Sequence, residues 1–376
     1  VAEVALERIP AQIVEHQTTT LDTVTGATLC SMGLMAAAED AAKNAGLDMG
    51  ALKKNAYTAS PGPDETWDTD VLVIGGGGAA WSAAITAAEA GSKVTLIEKG
   101  SVFGGNTMMA GAAFNAVDPD AQAIMRLSAA QKGTLDGYLA LSVDHPALKF
   151  DQFPEWRDVL VSLQDEIRAY FAANEGKTPG VDLPGFDSVS LHMWHIYTGG
   201  LREMSDGAWV ASDIDLARTL AENALGTFEW MDAQDMECVY GSKATEGLYT
   251  VLGAMWPRTH TFIQGKDRIT RLREAAEKVG VSSYAETAAK QLLMDGGVVK
   301  GAVAERSDGT KITINASQGV VLACGGYCAN PAMVKKYDKY WGDDLSDTTL
   351  TTNMGTNEGD GIVMAQEIGA ATTGLE

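Results

Sequence analysis

An α/β fold built around a parallel β-sheet is predicted by three features of the sequence. Residues 71–74 are an apolar run of the kind found in strands that are buried on both faces of a sheet. The glycines 75–78 follow directly and allow a tight turn. The alanine-rich residues 79–90 favour a helix, and the apolar residues 94–97 then form a second strand. The order strand, turn, helix, strand is that of a parallel sheet with a crossover helix.

This unit also has the features of a dinucleotide site. The glycines let backbone amides approach a pyrophosphate closely, and the helix that follows points its positive N-terminus at the same place. Ala80 stands at the third glycine position of the fingerprint, where alanine is also allowed. An acid, Glu98, follows the second strand at the position that binds ribose hydroxyls. A glycine-rich surface loop, the alternative, explains neither the strands nor Glu98. The residues predicted to contact the dinucleotide here are Gly75, Gly77, Gly78, Ala79, Ala80, Glu98 and Lys99.

Length and composition allow two or more domains with a proper core. The chain has 376 residues, of which 45% are hydrophobic, and no apolar run is long enough to span a membrane. Its net charge of −22 opposes binding to nucleic acid or to an anionic membrane surface, and plain solubility is the favoured explanation of the acidity. The four cysteines are too scattered for a disulfide framework. Val1 is not an initiator methionine, no leader is recognisable, and we expect the chain to be trimmed at its N-terminus.

Residues 1–56 carry a separate signature. The sequence Asp-Thr-Val-Thr-Gly-Ala-Thr, residues 22–28, precedes an alanine-rich helix predicted over residues 31–45. In structural terms it is a turn at a helix start, with Thr28 or Ser31 as the cap and with free amides. The letters also resemble the flavinylation motif of FMN-binding domains, in which FMN is joined to the final threonine through a phosphodiester bond. The resemblance implies covalent FMN on Thr28 and makes residues 1–56 the C-terminal part of such a domain.

The remaining chain divides by composition into four parts. Residues 57–69, with the Pro-Gly-Pro sequence at 61–63, are predicted to be a linker. Residues 70–117 form the first part of the dinucleotide domain, 118–211 a helical insertion, and 212–376 the second part. Within the insertion, residues 156–173 have the apolar stripe of a helix.

Two small-residue motifs after Glu98 identify a family. The sequence Gly-Gly-Asn-Thr at 104–107 is followed by Ala-Gly-Ala-Ala-Phe-Asn-Ala at 110–116. Together they resemble the FAD flavoproteins of the fumarate reductase and succinate dehydrogenase family. The resemblance implies a glutathione-reductase-like FAD-binding domain with a parallel sheet and a β-meander crossover, and a partial FMN-binding domain before it. By resemblance the FAD contacts here are Gly104, Gly105, Asn106, Thr107, Gly111 and Ala112, with alanines at 112 and 113 replacing the usual glycine pair.

The C-terminal third continues the resemblance. Turn sequences at 295–297 and 307–309 predict an antiparallel meander with strands over 298–305 and 311–314, after which residues 320–323 return to the parallel sheet. The sequence Val-Val-Leu-Ala-Cys-Gly-Gly-Tyr at 320–327 and the Gly-Asp-Gly loop at 359–361 match family motifs. They imply FAD contacts at Ala288, Ala323, Gly325 and Asp360. Cys324 and Cys328 lack the second thiol pair that zinc would need.

Four titratable residues are candidates for a role in the site. Arg258 and His260 precede a glycine and a predicted helix, as an arginine and a histidine often do in the family, so they are candidates for flavin or substrate contact, or else form a solvated loop. His192 and His195 form an H-x-x-H pair. Metal ligation would need a third ligand, so packing against aromatic residues or a place at the substrate entrance is the favoured interpretation, and no metal is predicted.

The resemblance implies a reductase. In this family FAD N5 delivers hydride to an activated carbon–carbon double bond of a small unsaturated acid, and an acid in the protein protonates the other carbon. FMN would relay electrons from an external donor, and flavinylation of this kind implies an extracytoplasmic location. The family's capping domain and proton-donating arginine follow the position of Glu376, so we expect residues 1–376 alone to be inactive and to hold FAD poorly. Two alternatives stay open, a dehydrogenase or oxidase of the same superfamily and an electron-transfer module without its own substrate.

Overall fold

The computed structural model describes residues 2–54, 56–111, 113–236, 248, 250, 256–261, 265–346 and 348–375. The chain divides into two compact units. The first unit comprises Val1–Ala110, Gly265–Lys336 and Ser346–Thr372, and the second unit comprises Gly111–Gln264, Tyr337–Leu345 and Thr373–Glu376. The predicted boundaries at residues 56, 69, 117 and 211 differ from the limits of these units and, as domain boundaries, stay predictions.

The elements follow in chain order. The described helices are α1 (Ala2–His16), α2 (Thr28–Asn44), α3 (Met49–Lys54), α4 (Gly78–Glu89), α5 (Gly105–Met109), α6 (Pro119–Ile124), α7 (Ala129–Ala140), α8 (Arg157–Ala173), α9 (Val189–Gly200), α10 (Ile214–Ala233), α11 (Gly265–Lys278), α12 (Pro331–Tyr337) and α13 (Asp360–Glu367). The described strands are β1 (Glu65–Ile74), β2 (Val94–Ile97), β3 (Ala113–Asn115), β4 (Arg202–Glu203), β5 (Trp209–Val210), β6 (Thr259–Thr261), β7 (Ser282–Tyr284), β8 (Thr287–Asp295), β9 (Val298–Arg306) and β10 (Lys311–Leu322). None of these helices is both long enough and apolar enough to cross a lipid bilayer.

The first unit is organised by a six-stranded sheet in the order β7-β2-β1-β10-β9-β8. The first four strands are parallel, and β9 and β8 continue the sheet in antiparallel fashion. Helix α4 packs on β1 and β2, and α11 packs on α4. The last residues of both strands, Leu72–Ile74 of β1 and Leu96–Ile97 of β2, are apolar and buried, as in the interior strands of a parallel sheet. The predicted α/β fold with a parallel sheet and a meander is therefore confirmed.

The meander differs from the prediction in the length of its last strand. Residues 311–314 and 320–323 were expected to be separate strands, but Lys311–Leu322 is one continuous strand. Its first half pairs with β9 on one side and with β1 on the other, and its second half continues along β1. A single long strand therefore carries the chain from the meander directly to the cofactor edge of the sheet.

The predicted linker is also shorter than expected. Residues 65–69 were assigned to it, but they form the first half of β1, with Glu65 opposite Ile312. The physical reason is the long neighbour β10, which offers backbone partners to this segment. Trp67 anchors the segment because its ring packs on Tyr284 at a centroid distance of 4.4 Å.

The start of α2 corrects the predicted cap. The helix begins at Thr28 rather than at Ser31, and its N-cap is Ala27, which has no capping side chain. The hydroxyl of Ser31 instead lies inside the first turn, where it accepts the N–H of Val24 at 3.1 Å and donates to the carbonyl of Ala27 at 3.0 Å. The loop before the helix is therefore stabilised from within, and the Thr28 side chain is exposed.

The second unit has its own aromatic core. Helix α8 buries the predicted stripe, with Leu160, Leu163 and Ile167 fully enclosed. Against it pack α9 and the large rings of Trp156, Trp194 and Tyr197. The helices α6 to α9 fall in the range of the predicted helical insertion.

Candidate functional site

The glycine turn between β1 and α4 is tightly enclosed. The N–H of Gly75 donates to the carbonyl of Ile97 at 2.8 Å, which ties the end of β1 to β2. Gly75 has φ +120°, and a Cβ built there would lie 2.2 Å from the carbonyl oxygen of Ala323. No other residue fits this position, since the conformation and the space both exclude a side chain. Gly77 is the N-cap of α4, and this end of the helix lines the same cavity.

Glu98 is fixed at the end of β2 by its backbone and its side chain. Its N–H donates to the carbonyl of Tyr284 and its carbonyl accepts the N–H of Thr287, at 2.9 and 2.8 Å. The carboxylate accepts the N–H of Gly100 at 2.7 Å. Burial raises the pKa of Glu98, and hydrogen bonds from the amides of Gly100 and Gly76 act in the opposite direction. These hydrogen bonds fix the Glu98 side chain where it lines the cavity.

The Gly-Gly-Asn-Thr segment closes another side of the cavity. The N–H of Gly104 donates to the carbonyl of Gly76 at 2.8 Å, and the hydroxyl of Thr107 accepts the N–H of Gly78 at 3.0 Å. Asn106 contacts the segment before α13, since its Oδ1 accepts the N–H of Met354 at 2.8 Å. Asn106 and Thr107 thus fasten the glycine turn and the 353–357 segment together.

The end of β10 completes the cavity beside Gly75. The N–H of Ala323 donates to the carbonyl of Ile74 at 2.8 Å. Gly325 has φ +73°, where a side chain would be strained. Burial raises the pKa of the Cys324 thiol to about 12, so the residue stays a neutral thiol at neutral pH.

An ion pair joins the loop after β2 to the start of α13. Lys99 Nζ contacts the carboxylates of Asp360 at 2.5 Å and Glu358 at 2.8 Å, and its side chain is 20% exposed. These hydrogen bonds raise the pKa of Lys99 against the lowering effect of burial. Asp360 is the first residue of α13, where a carboxylate is favoured by the helix dipole.

Most of the residues predicted to bind the dinucleotide therefore meet around one cavity in the first unit. Its lining includes Gly75, Gly77, Gly78, Ala79, Glu98, Lys99, Gly105, Asn106, Thr107, Ala323, Gly325 and Asp360. Sequence reasoning missed Thr287, Ala289, Met354 and Asn357, which also line it. The Gly-Asp-Gly loop at 359–361 was recognised, but nothing in its sequence gave a reason to select Asn357, two residues before it.

The other predicted contacts lie elsewhere. Ala80 is fully buried in α4, and Gly104 is the N-cap of α5, where a Cβ would clash with Met108. Ala288 lines a neighbouring cavity, Gly111 belongs to the second unit, and Ala112 lies outside the described residues. Thr28 is exposed at the start of α2.

Arg258 and His260 lie in the second unit, where both side chains are paired. Arg258 forms a bidentate ion pair with Asp187, at 2.7 and 3.0 Å, and the side chains are 4% and 0% exposed. Burial raises the pKa of Asp187 to about 6, and the guanidinium acts in the opposite direction. His260 Nε2 lies 3.1 Å from the carboxylate of Asp118. Both residues are buried, so they do not lie in the solvated loop that the sequence analysis kept as the alternative.

His192 and His195 lie on α9 and are buried among aromatic side chains. His195 Nε2 lies 3.1 Å from the hydroxyl of Tyr138, and its ring packs near Trp256. Burial lowers the pKa of His192 to about 4 and that of His195 to about 3, so both are neutral at pH 7. Within the described part of the chain, no three His, Cys, Asp or Glu side chains are grouped as metal ligands would be.

The groups that line the cavity of the first unit fit FAD. It combines a close-approach glycine at the end of β1, the N-terminus of α4 and a fixed carboxylate at the end of β2. These are the groups that a pyrophosphate and an adenosine ribose require. One buried acceptor in the lining, Asn357 Oδ1, has no donor among the described residues.

Comparisons with known proteins agree with this fit. The model of the FAD binding domain family matches residues 70–376. A curated relative, the NADH:acrylate oxidoreductase of Vibrio harveyi, is 32% identical over all of this chain and 36% of its own length. The urocanate reductase of Eggerthella lenta is 27% identical over 95% of this chain and 48% of its own length. The chain therefore spans less than half of the length of these relatives.

Solved structures show a similar fold. A flavocytochrome c3 fumarate reductase in an open conformation has a TM-score of 0.52 at 24% identity, over 82% of this chain and 42% of that one. A 3-ketosteroid-Δ4-(5α)-dehydrogenase from Rhodococcus jostii RHA1 has a TM-score of 0.54 at 18% identity, over 84% of this chain and 57% of that one.

Proposed function

The chain belongs to the family of FAD-binding domains, and on that premise we propose that it is the FAD-carrying part of a reductase for small unsaturated acids. The observation that carries the proposal is the cavity built by Gly75, Glu98 and Gly325, in a chain that aligns over its whole length with an NADH:acrylate oxidoreductase. The alignment with a urocanate reductase supports the same substrate class, an acid with an activated double bond.

The chain's own residues bind and orient the cofactor. The N-terminus of α4 would face the pyrophosphate, and the Glu98 carboxylate would accept hydrogen bonds from the ribose hydroxyls of the adenosine. Thr107 and Asn106 hold the walls of the cavity together, and Lys99 fixes the start of α13. Bound FAD would supply the hydride from N5.

The substrate acid is tested with the intact protein. After anaerobic reduction, stopped-flow absorbance would follow flavin reoxidation by acrylate, fumarate and urocanate. A reductase is reoxidised rapidly by at least one of them. Reduction of the oxidised protein by the saturated acids, with slow reoxidation, would favour a dehydrogenase. The absence of both reactions would favour an electron-transfer module.

We further propose that Thr28 carries FMN through a phosphodiester bond and passes electrons from an external donor to FAD. Thr28 is exposed, is the first residue of α2 and follows a loop in which Gly26 has φ +80°. Its hydroxyl is therefore accessible to a transferase, and a phosphate there would face the positive end of the helix.

Intact mass measurement tests the attachment. Protein made in a host that contains the transferase should carry one extra FMN mass, and Thr28→Ala should lose it. Thr23→Ala, at an exposed threonine of the same segment, is the control and should keep it. An unchanged mass shift in Thr28→Ala would place the flavin on another residue.

A further inference from the structure

The N-terminal segment, which we define as residues 2–54, has a small apolar core of its own. Helices α1 and α2 pack against each other. The buried residues of this core are Ala5, Ile9, Leu21, Val24 and Ala27. The partly buried side chains that pack on it also come from before residue 58, and the apolar cluster of the sheet shares no residue with it. The segment therefore does not depend on the sheet for its core.

Polar contacts join this segment to the rest of the first unit. Arg8 forms a bidentate ion pair with Glu286, with nitrogen–oxygen distances of 2.6 and 2.9 Å. The two side chains are 36% and 21% exposed. The hydroxyl of Ser101 donates to the carbonyl of Thr25 at 3.0 Å. A partly exposed ion pair contributes little net stability, so a contact of this kind can form and break readily.

Both contacts lie beside the acid that is assigned to the adenosine ribose. Ser101 follows Glu98 by three residues in the loop after β2. The N–H of Glu286 donates to the carbonyl of Gly100 at 2.9 Å. Glu286 also has φ +52°, a left-handed conformation that is uncommon for a residue other than glycine. Backbone strain of this kind clusters at ligand clamps and switch regions, which directs attention to the partner of Glu286.

The segment also forms one wall of a second cavity that adjoins the FAD cavity. Thr25 and Glu286 both line this second cavity. The residues that line both cavities are Lys99, Ala289, Asp360 and Met364. The two spaces are therefore adjacent, and removal of the segment would open the second cavity on the side of Thr25.

We propose that residues 2–54 form a gate over the adenosine end of the FAD cavity, and that the Arg8–Glu286 ion pair is its latch. With the latch closed, the segment covers the second cavity and supports the loop that follows Glu98. With the latch open, the adenosine end is accessible from solvent. Arg8 and Glu286 are positioning residues, because neither lines the FAD cavity itself. The inference rests on the proposed function, since it requires FAD in this cavity with its adenosine at Glu98.

A gate has a kinetic signature that distinguishes it from a contact with the cofactor. FAD passes only through the open state, so its association and release rates are both proportional to the fraction of open molecules. A variant that opens the latch should therefore raise both rates by the same factor and leave the dissociation constant unchanged. Loss of one partly exposed ion pair should raise the open fraction, and hence both rates, roughly two- to fivefold.

The test measures both rates in the intact protein by stopped-flow flavin fluorescence, for the wild type and for Arg8→Ala. The control is Lys53→Ala, which removes an ion pair with Glu39 inside the same segment, at 2.8 Å, and should leave both rates unchanged. Arg8→Glu and Glu286→Arg should each raise both rates when made alone. The two changes together should restore the wild-type rates, because the ion pair is then formed with its charges exchanged.

Glu286→Gly is a second variant that separates the latch from folding. It should melt close to the wild type in the FAD-free state, because relief of the backbone strain at φ +52° offsets the lost ion pair, yet both rates should rise. Equal rates in the wild type, Arg8→Ala and Glu286→Gly would overturn the inference. Faster release with an unchanged association rate would overturn it as well, because the ion pair would then stabilise bound FAD and not a closed gate. Wild-type protein that retains no FAD would refute the proposed function itself.

Discussion

Replacing Gly75 by alanine tests the geometry on which the cofactor site depends. The new Cβ would lie 2.2 Å from the carbonyl oxygen and 2.7 Å from the carbonyl carbon of Ala323, and these backbone atoms are held in the sheet by the hydrogen bond to Ile74. Two costs combine. A non-glycine residue at φ +120° costs about 1–3 kcal/mol, and forcing an extra methyl into a packed site costs about 1–3 kcal/mol more.

The expected loss is therefore roughly 2–6 kcal/mol, a large share of the ~5–15 kcal/mol by which a domain is stable. Gly91→Ala separates the cost of the backbone conformation from the cost of the steric clash. Gly91 also has a positive φ, +92°, but a Cβ there meets no atom within 4 Å. Gly77→Ala is the opposite control, since its Cβ would only make ordinary contacts at 3.7 Å. It should leave the FAD-free protein stable and still weaken FAD, because the methyl enters the cavity.

Urea unfolding of the FAD-free proteins, followed by tryptophan fluorescence, measures these differences. We expect the order of stability to be wild type and Gly77→Ala, then Gly91→Ala, then Gly75→Ala. If Gly75→Ala were as stable as Gly91→Ala, the contact with Ala323 would not restrict the turn, and the steric argument would be wrong.

Three further predictions concern the titratable groups. His192 and His195 are held neutral in the folded protein with a lowered pKa, so the unfolded chain binds protons first as the pH falls below about 6.5, and stability is lost from there towards pH 4. His192→Phe should therefore flatten the pH dependence of the unfolding free energy in that window. An unchanged slope would contradict the claim that burial lowers the pKa of His192. The Cys324 thiol, with its pKa raised to about 12, should be alkylated far more slowly at pH 8 than the exposed Cys328, and peptide mass mapping would measure the two rates. Bound FAD should slow the alkylation of Cys324 further, because this residue lines the cavity. Asp187→Asn should destabilise the protein by about 3–5 kcal/mol, because it leaves the buried Arg258 without its counter-charge. The control is Asp165→Asn in the exposed ion pair with Arg168, which should change stability by less than about 1 kcal/mol. Similar effects of the two substitutions would mean that the Arg258–Asp187 pair is not buried in solution.

The sequence predicted those features that depend on neighbouring residues. The apolar run before Gly75, the helix after it and the acid at Glu98 lie within one supersecondary unit, and local pattern was enough to place all three. The stripe of α8 was predicted for the same reason, because an amphipathic helix shows its period along the chain.

Features that depend on distant partners were missed or mistaken. The first half of β1 could not be recognised, because its strand conformation comes from pairing with β10, more than two hundred residues away. The role of Arg258 could not be recognised either, because its ion-pair partner Asp187 lies 71 residues earlier in the chain. Residue letters show which groups could pair, but the tertiary contact decides which of them do.

The central claim is that the cavity at the ends of β1 and β2 holds FAD with its adenosine ribose on Glu98, and the FAD dissociation constant of Glu98→Ala tests it most directly. Loss of a hydrogen bond to a charged group is worth about 1.5–3 kcal/mol, so affinity should fall by roughly 10- to 150-fold. Glu89→Ala, at an exposed acid in the same unit, should bind FAD as the wild type does. Glu98→Ala protein that folds normally and binds FAD with unchanged affinity would contradict the account.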